Sequence, residues 1–435
     1  MELLKRVDMN RNIYGILPTF LGLGLGLLPL VTSSFGAAQN AADSLVREFK
    51  EAREADGQGR YAEAIAHYQH ILTLDPQVAE ACNNLGVDYY RLQRYAEAAA
   101  SLKSALKIQP ALLGAQIFLG LAEFKLGQFK ASLDQLQSAL KAQPDNRDVR
   151  MFLIQDHMAL GQYDSALVEE TLRLFPDDAE LNYTIGLAAL EHIRSIAHDA
   201  NSLGLESPTY HWIYLRQAEQ KQDLSEAQKH REALKRLGAS TPPPVVGEYD
   251  ALVSLVEKCF TTVLQSSPDS SYAHSVQGSI DEAQNLVDPA LAEYRKAGNH
   301  FAAGRLLAQN LRLAEAAGEL EASVLADPEN HLALAMLAQV YVEAHQPARA
   351  LPLLHQILAY YPGDALAWAD LGKAQLALNQ TEQGIHSLCM ALKIDPSQTK
   401  LHYELALAYR KLGQSDLARQ ELALFSRASL AEHQK

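Results

Sequence analysis

A proline returns at a fixed interval along this chain. Pro76, Pro110 and Pro144 are spaced 34 residues apart, and so are Pro328, Pro362 and Pro396. Each closes a similar helical stretch: LTLDP, LKIQP, LKAQP, LADP, LAYYP and LKIDP. A constant period over much of a chain specifies a stack of supersecondary elements, each touching its neighbours, instead of one globular core. At 435 residues a single core would already be large enough to split. A stack avoids that limit, because its core lengthens with every repeat.

With each helix-ending proline placed at position 32, small and large residues recur in step. Leu85-Gly86 returns as Leu119-Gly120, Leu337-Ala338, Leu371-Gly372 and Leu405-Ala406. Tyr89 returns as Tyr341 and Tyr409. Ala98 returns as Ser132, Ala166, Ala350, Gly384 and Ala418, and Trp368 holds position 4 of its repeat. Two helices joined by a short turn account for these types. Small residues near positions 8 and 20 let the axes approach to about 8–10 Å, and Leu85, Tyr89 and Leu102 fill the space beside the contact. Turns such as Gly127-Gln128-Phe129 and Gly161-Gln162-Tyr163 offer left-handed caps. The residue before each proline resists helical dihedrals and ends the second helix.

This pattern resembles the tetratricopeptide repeat (TPR) family, with its W, L-G, Y, A, F, A, P signature. The resemblance implies an all-α, right-handed superhelical solenoid of helix-turn-helix repeats that binds proteins or peptides. Repeats one to four occupy 39–178, the fourth ending two residues early at Pro176. Repeat five opens at Asn182-Tyr183-Thr184-Ile185-Gly186 and is interrupted across 179–268. There Ser207-Pro208 starts a long helix expected to reach Leu237, with Gly238 as its stop. A stiff Thr241-Pro242-Pro243-Pro244 linker follows. The aromatic start of that helix (Tyr210, Trp212, Tyr214) either packs on neighbouring helices or forms an arm that fills the groove. Repeats six to ten occupy 269–435 and end in a polar cap.

Residues 1–38 read as a targeting segment. Lys5, Arg6 and Arg11 precede an apolar run from Ile13 to Val31, and Gly36-Ala37-Ala38 offers a cleavage site. The run is also near the ~20 residues that span a bilayer, so residues 3–31 either leave as a signal or anchor the chain to a bacterial inner membrane. In both cases the repeats are exported, periplasmic or secreted. No cysteine stands at the cleavage site to carry a lipid. The net charge of −14 speaks against a nucleic-acid partner. Cys82, Cys259 and Cys389 match no disulfide framework and read as buried small hydrophobes.

In the TPR family the first helices line a concave groove. Carrying over its groove positions gives Asn84, Tyr90, Ile117, Phe118, Leu121, Phe124, Met151, Phe152, Met158 and Tyr183 as partner-binding residues, an apolar stripe suited to an amphipathic helix or extended peptide. The C-terminal groove is polar, with Asp370, Lys373, Tyr403, Glu404 and Arg410. Asn84 matches one position of the family's carboxylate clamp. Phe49, Arg53, Gly114 and Phe118 stand where its remaining Lys, Asn and Arg belong, so the clamp is absent.

No catalytic motif is present: no phosphate loop, no His-Glu-x-x-His and no Gly-x-Ser-x-Gly elbow. His67 and His70 have metal-ligand spacing, but no acidic residue in an obvious third position completes a set, so they read as surface histidines. Glu169-Glu170 and Asp177-Asp178 read as solvated pairs at helix ends. No enzyme activity, metal or cofactor is expected. The chain reads as an exported scaffold for protein partners, with a structural spacer whose groove is self-occupied as the alternative.

Overall fold

The computed structural model describes residues 32–432 apart from position 329. The expected signal or anchor run, Ile13 to Val31, and its positive residues lie outside the described residues. Every regular element among the described residues is a helix, 22 in all, and none is long and apolar enough to cross a membrane. The chain divides into two compact bodies, the first ending at Leu112 and the second starting at Leu113.

The first body holds α1 (Thr32–Gly57), α2 (Tyr61–Leu74), α3 (Ala79–Arg91) and α4 (Tyr95–Ile108), each packed on the next. The second opens with α5 (Leu113–Lys125), α6 (Phe129–Ala142), α7 (Arg147–Ala159) and α8 (Ser165–Leu174). Two long helices, α9 (Ala179–Ser202) and α12 (Pro244–Ser266), flank a hairpin of α10 (Pro208–Gln220) and α11 (Leu224–Arg236). Then come α13 (Ser271–Ala283), α14 (Val287–Lys296), α15 (His300–Gln309), α16 (Leu313–Ala326), α17 (His331–Glu343) and α18 (Pro347–Tyr360). The series ends with α19 (Ala365–Ala377), α20 (Thr381–Ile394), α21 (Lys400–Lys411) and α22 (Ser415–Glu432).

One contact closes the pairs that carry glycine at position 8. A methyl group on Gly120 would lie 2.6 Å from Leu136 Cγ, and the same construction gives 2.6 Å for Gly304 against Leu320 and 2.7 Å for Gly372 against Leu388. In the first body Gly86 meets Leu102 in the same way. Position 8 is therefore small because the residue at position 24 lies directly over it, excluding side chains that would push the axes apart. The turns share a second device. A left-handed residue follows the first helix, and the next amide donates back into its last turn, as Arg94 does to the Tyr89 carbonyl at 2.9 Å and Gln346 to Tyr341 at 2.8 Å. Glycine fills that left-handed site at 127, 161 and 413, but Gln93, Leu311, His345 and Asn379 occupy it too. After the proline, an Asp or Asn caps the next first helix: Asn146, Asp178, Asn330 and Asp364 each accept the amide three residues on.

Several expectations need correction. The helix expected to run from Pro208 to Leu237 is two helices. Gln222 adopts the left-handed conformation (φ 57°), Asp223 donates its amide to the Ala218 carbonyl at 2.8 Å, and the Asp223 side chain caps α11. This is the repeat turn again, with Ala227 buried where Ala98 stands in α4. Ala166 is exposed: the missing two residues of repeat four turn α8 so that Leu167 and Val168 face inward. Cys82 and Cys259 are buried, but Cys389 is exposed, because it falls on the outward side of α20. Asp178 is no solvated carboxylate. Arg147 grips it with two bonds (2.7 and 2.9 Å) and also reaches Glu180 at 2.6 Å, tying α7 to the start of α9.

Repeat five is split rather than lost. Gly186 of α9 lies under the Phe260 ring of α12, the same contact made by residues far apart in sequence. The α10–α11 hairpin packs on the distal parts of both helices, where Ile196, Ala200, Ile213, Val246 and Tyr249 form one core cluster with Trp212 beside it.

The second body also buries acids. Asp156 is 0% exposed and accepts a bond from Ser132 Oγ at 2.7 Å, with Glu123 nearby and 2% exposed. Burial pushes the Asp156 carboxyl up to about 7; the Ser132 bond opposes this and the Glu123 charge adds to it.

Two outcomes follow from this packing. Gly186→Val should overpack the ring contact and cost about 1–3 kcal/mol, while Gly318→Ala, at a helical site with open space around it, should leave the thermal midpoint unchanged or raise it. An acid whose pKa rises on folding holds its proton in the native state across the window from its unfolded value, near 4, to about 7. Stability is therefore lost as pH climbs through that window. Asp156→Asn should melt progressively higher than the parent from pH 4 to 7, with a constant gap above 8, in thermal scans.

Candidate functional site

In the second body, first helices pack on the first helices of the next repeat: α5 on α7, α7 on α9 and α9 on α13. Aromatic side chains meet across two of these contacts. The Phe124 ring lies 5.4 Å from Phe152 and 5.5 Å from Phe129, both edge-on. Such pairs add about 0.5–1.5 kcal/mol beyond area burial. Phe118, Ile117 and Met158 of the same two first helices are half-buried. Tyr183 stacks on Phe260 and tilts against Tyr272 at 5.5 Å, and burial pushes its phenol pKa up.

The expected residues do not all offer surface. Met151 is 2% exposed, and Leu121 and Phe152 are each 8% exposed. These three are closed off inside α5 and α7 and offer little surface. Asn84 and Tyr90 stand in the first body. Asn84 donates to the Tyr68 hydroxyl at 3.2 Å, and Tyr90 leans on Tyr95 at 5.3 Å, its phenol pKa raised by burial. The hairpin aromatics lie at the other end of α9: Tyr210 sits against Tyr214 (4.4 Å) and His230.

The C-terminal repeats carry a different surface. Lys373 donates to Asp370 at 2.9 Å, and Tyr403 meets Phe425 at 5.6 Å. A cleft of about 580 Å³ opens between α18, α19 and α20, lined by His355, Leu358, Trp368, Glu382 and His386. Trp368 is held there by its indole nitrogen, which donates to the Pro362 carbonyl at 2.9 Å.

Sequence reading missed one recurrent link. Where Trp368 stands at position 4, three other repeats carry His274, His300 and His402. Each meets a glutamate nineteen residues on, at position 23: Glu293 at 2.7 Å, Glu319 at 2.8 Å and Glu421 at 2.6 Å. In the first body the pair is inverted, with Glu48 at position 4 and His67 at position 23, 2.7 Å apart. Burial works to raise the Glu319 pKa, but bonds from His300 and Arg295 outweigh it and hold the carboxyl below its ordinary range. The sign of this link lies in residues half a repeat apart, which the 34-residue alignment displays only once position 4 is compared with position 23. The same comparison corrects the reading of His67 and His70: Glu48 and Glu51 of α1 stand beside them.

Comparison with known proteins agrees with this architecture. Residues 49–112 and 119–167 match one family model of the tetratricopeptide repeat, and residues 341–388 match a second. The chain is 30% identical over 175 residues to the beta-barrel assembly-enhancing protease of Yersinia pestis, across 38% of this chain and 35% of that protein. It thus spans about a third of that relative's length. Among solved structures, MamA (41-end) from Desulfovibrio magneticus RS-1 matches at 20% identity and a TM-score of 0.36, over 38% of this chain and 97% of that one. YrrB, a TPR protein with an unusual peptide-binding site, matches at 20% identity and a TM-score of 0.36, over 39% and 91%. Residues 49–112, 119–167 and 341–388 are thus tetratricopeptide repeats, set within a continuous series of helix pairs.

Proposed function

We propose that this chain is a non-catalytic scaffold, exported from a bacterial cytoplasm, that binds an amphipathic helix or extended peptide on the first-helix face of its second body. The observation that carries the reading is the aromatic cluster of α5 and α7. Phe118, Phe124 and Met158 are half-buried, Leu121, Met151 and Phe152 of the same two helices are buried, and Phe124 meets Phe152 edge-on at 5.4 Å. Half-buried residues on helices whose other apolar residues are closed off are what a partner's apolar stripe needs: anchors enter between the half-buried rings without paying to reorganise the core. Methionine adds a side chain that adapts to different partner shapes.

Export is supported by the positive and apolar run at residues 3–31, which reads as a signal or a tether. The negative net charge of −14 favours partners with neutral or basic flanks around an apolar stripe. The 175-residue similarity to a beta-barrel assembly-enhancing protease suggests one context, the assembly of beta-barrel proteins.

Affinity capture from envelope extracts tests the proposal. The double variant Phe118→Ala, Met158→Ala should lose its captured partner, with affinity about tenfold or more weaker and an unchanged circular dichroism spectrum. Leu325→Ala, at a highly exposed site of α16, should capture as the parent does. Equal capture by all three proteins would overturn the assignment of the face.

A further inference from the structure

Four metal-binding side chains meet at the first repeat. Glu48 and Glu51 lie one turn apart on α1, and His67 and His70 lie one turn apart on α2. His67 Nδ1 is 2.7 Å from Glu48 Oε2 and 3.6 Å from Glu51 Oε2, and His70 Nδ1 is 3.1 Å from Glu48 Oε1. The donor atoms of Glu48, Glu51 and His67 all lie within 4.8 Å of one another. We propose that Glu48, Glu51, His67 and His70 form a structural site for a divalent transition ion of the zinc class, which pins α1 to α2 at the start of the repeat stack.

The other repeats show why this is more than the recurrent position 4–23 pair. Beside His274–Glu293 the corresponding one-turn neighbours are Gln277 and Lys296. Beside His300–Glu319 they are Ala303 and Ala322, and beside His402–Glu421 they are Leu405 and Leu424. Those sites hold two donors and, in one case, a cation that repels a metal. Only the first repeat adds a second carboxylate and a second imidazole. Two carboxylates and two neutral imidazoles balance a divalent charge, and the mixed nitrogen and oxygen set suits zinc.

Ligands about 2.0–2.2 Å from a tetrahedral ion lie about 3.3–3.6 Å from each other, so His67 and Glu48 must part by a fraction of an ångström, and His70, which lies near Glu48 but outside the three-residue cluster, must swing toward the other donors. Glu48 is 7% exposed and forms the inner wall, while the Glu51 and His70 side chains are about half exposed, at 47% and 49%, which leaves an entry path. The competing cation is Arg47, 3.6 Å from Glu48 and 63% exposed on its side chain, free to swing into solvent.

Zinc and cobalt titrations of the purified chain, without a polyhistidine tag, test the proposal. One equivalent of zinc should bind by calorimetry and raise the melting temperature, and cobalt should give the visible band of a four-coordinate ion. Glu51→Gln and His70→Gln change half-exposed side chains and should keep the helical spectrum. Each should weaken zinc by at least the roughly tenfold that an outer-shell partner alone is worth. His300→Gln, in a two-donor pair, should bind zinc as the parent does. Failure of the parent to bind zinc, or equal binding by the Glu51 and His70 variants, would overturn the site; neither result bears on the partner face of the second body.

Discussion

Six of the helix pairs depend on one steric contact, a large residue seated over the bare backbone of a glycine at position 8. Leu136 over Gly120, Leu320 over Gly304 and Leu388 over Gly372 repeat it at nearly the same separation. Because the contact excludes side chains at its centre, two helices can lie close and bury their flanks. The left-handed turn residue then fixes the angle at which the second helix returns, and the capping Asp or Asn after the proline starts the next pair. In the second body, the side of several first helices that faces away from this contact packs in part on the next first helix, and in the proposed reading its half-buried residues receive the partner.

The contact also explains how the chain tolerates a large interruption. Gly186 and Phe260 keep their places while roughly seventy residues pass between them. The lengthened α9 carries the inserted hairpin away from Tyr183: the nineteen residues from Tyr183 to Ser202 span roughly 28 Å at 1.5 Å per residue. The hairpin builds its own cluster at that end and reuses the turn found in the repeats. A similar economy appears at position 4. A histidine–glutamate link serves three repeats, its inverse serves the first, and in the first it gains two further donors.

Much of this was legible in the chain because packing at helix crossings restricts residue size, and size is visible in sequence. The proline period, Gly86 and its counterparts, and the split of repeat five at Gly186 could all be read directly. The turn at Gln222 could not: a left-handed glutamine carries no glycine signal, and only its backbone bond to Ala218 reveals it. Ala166 was misplaced because counting forward from repeat three ignores that Pro176 arrives two residues early. Groove positions carried over from the repeat family say nothing about depth, and Met151 and Phe152 are buried. The carboxylates beside His67 and His70 were hidden because they come from the preceding helix, and spacing along one helix says nothing about its neighbour.

The central claim is that first helices present the recognition surface while second helices close the pairs. Site-specific photocrosslinking in cells tests it most directly, with the reactive residue placed at Phe118 on α5 or at Lys141 on the exposed side of α6. The account predicts a discrete adduct with another protein from position 118 and none from position 141. Adducts from position 141 alone, or from neither position, would contradict it.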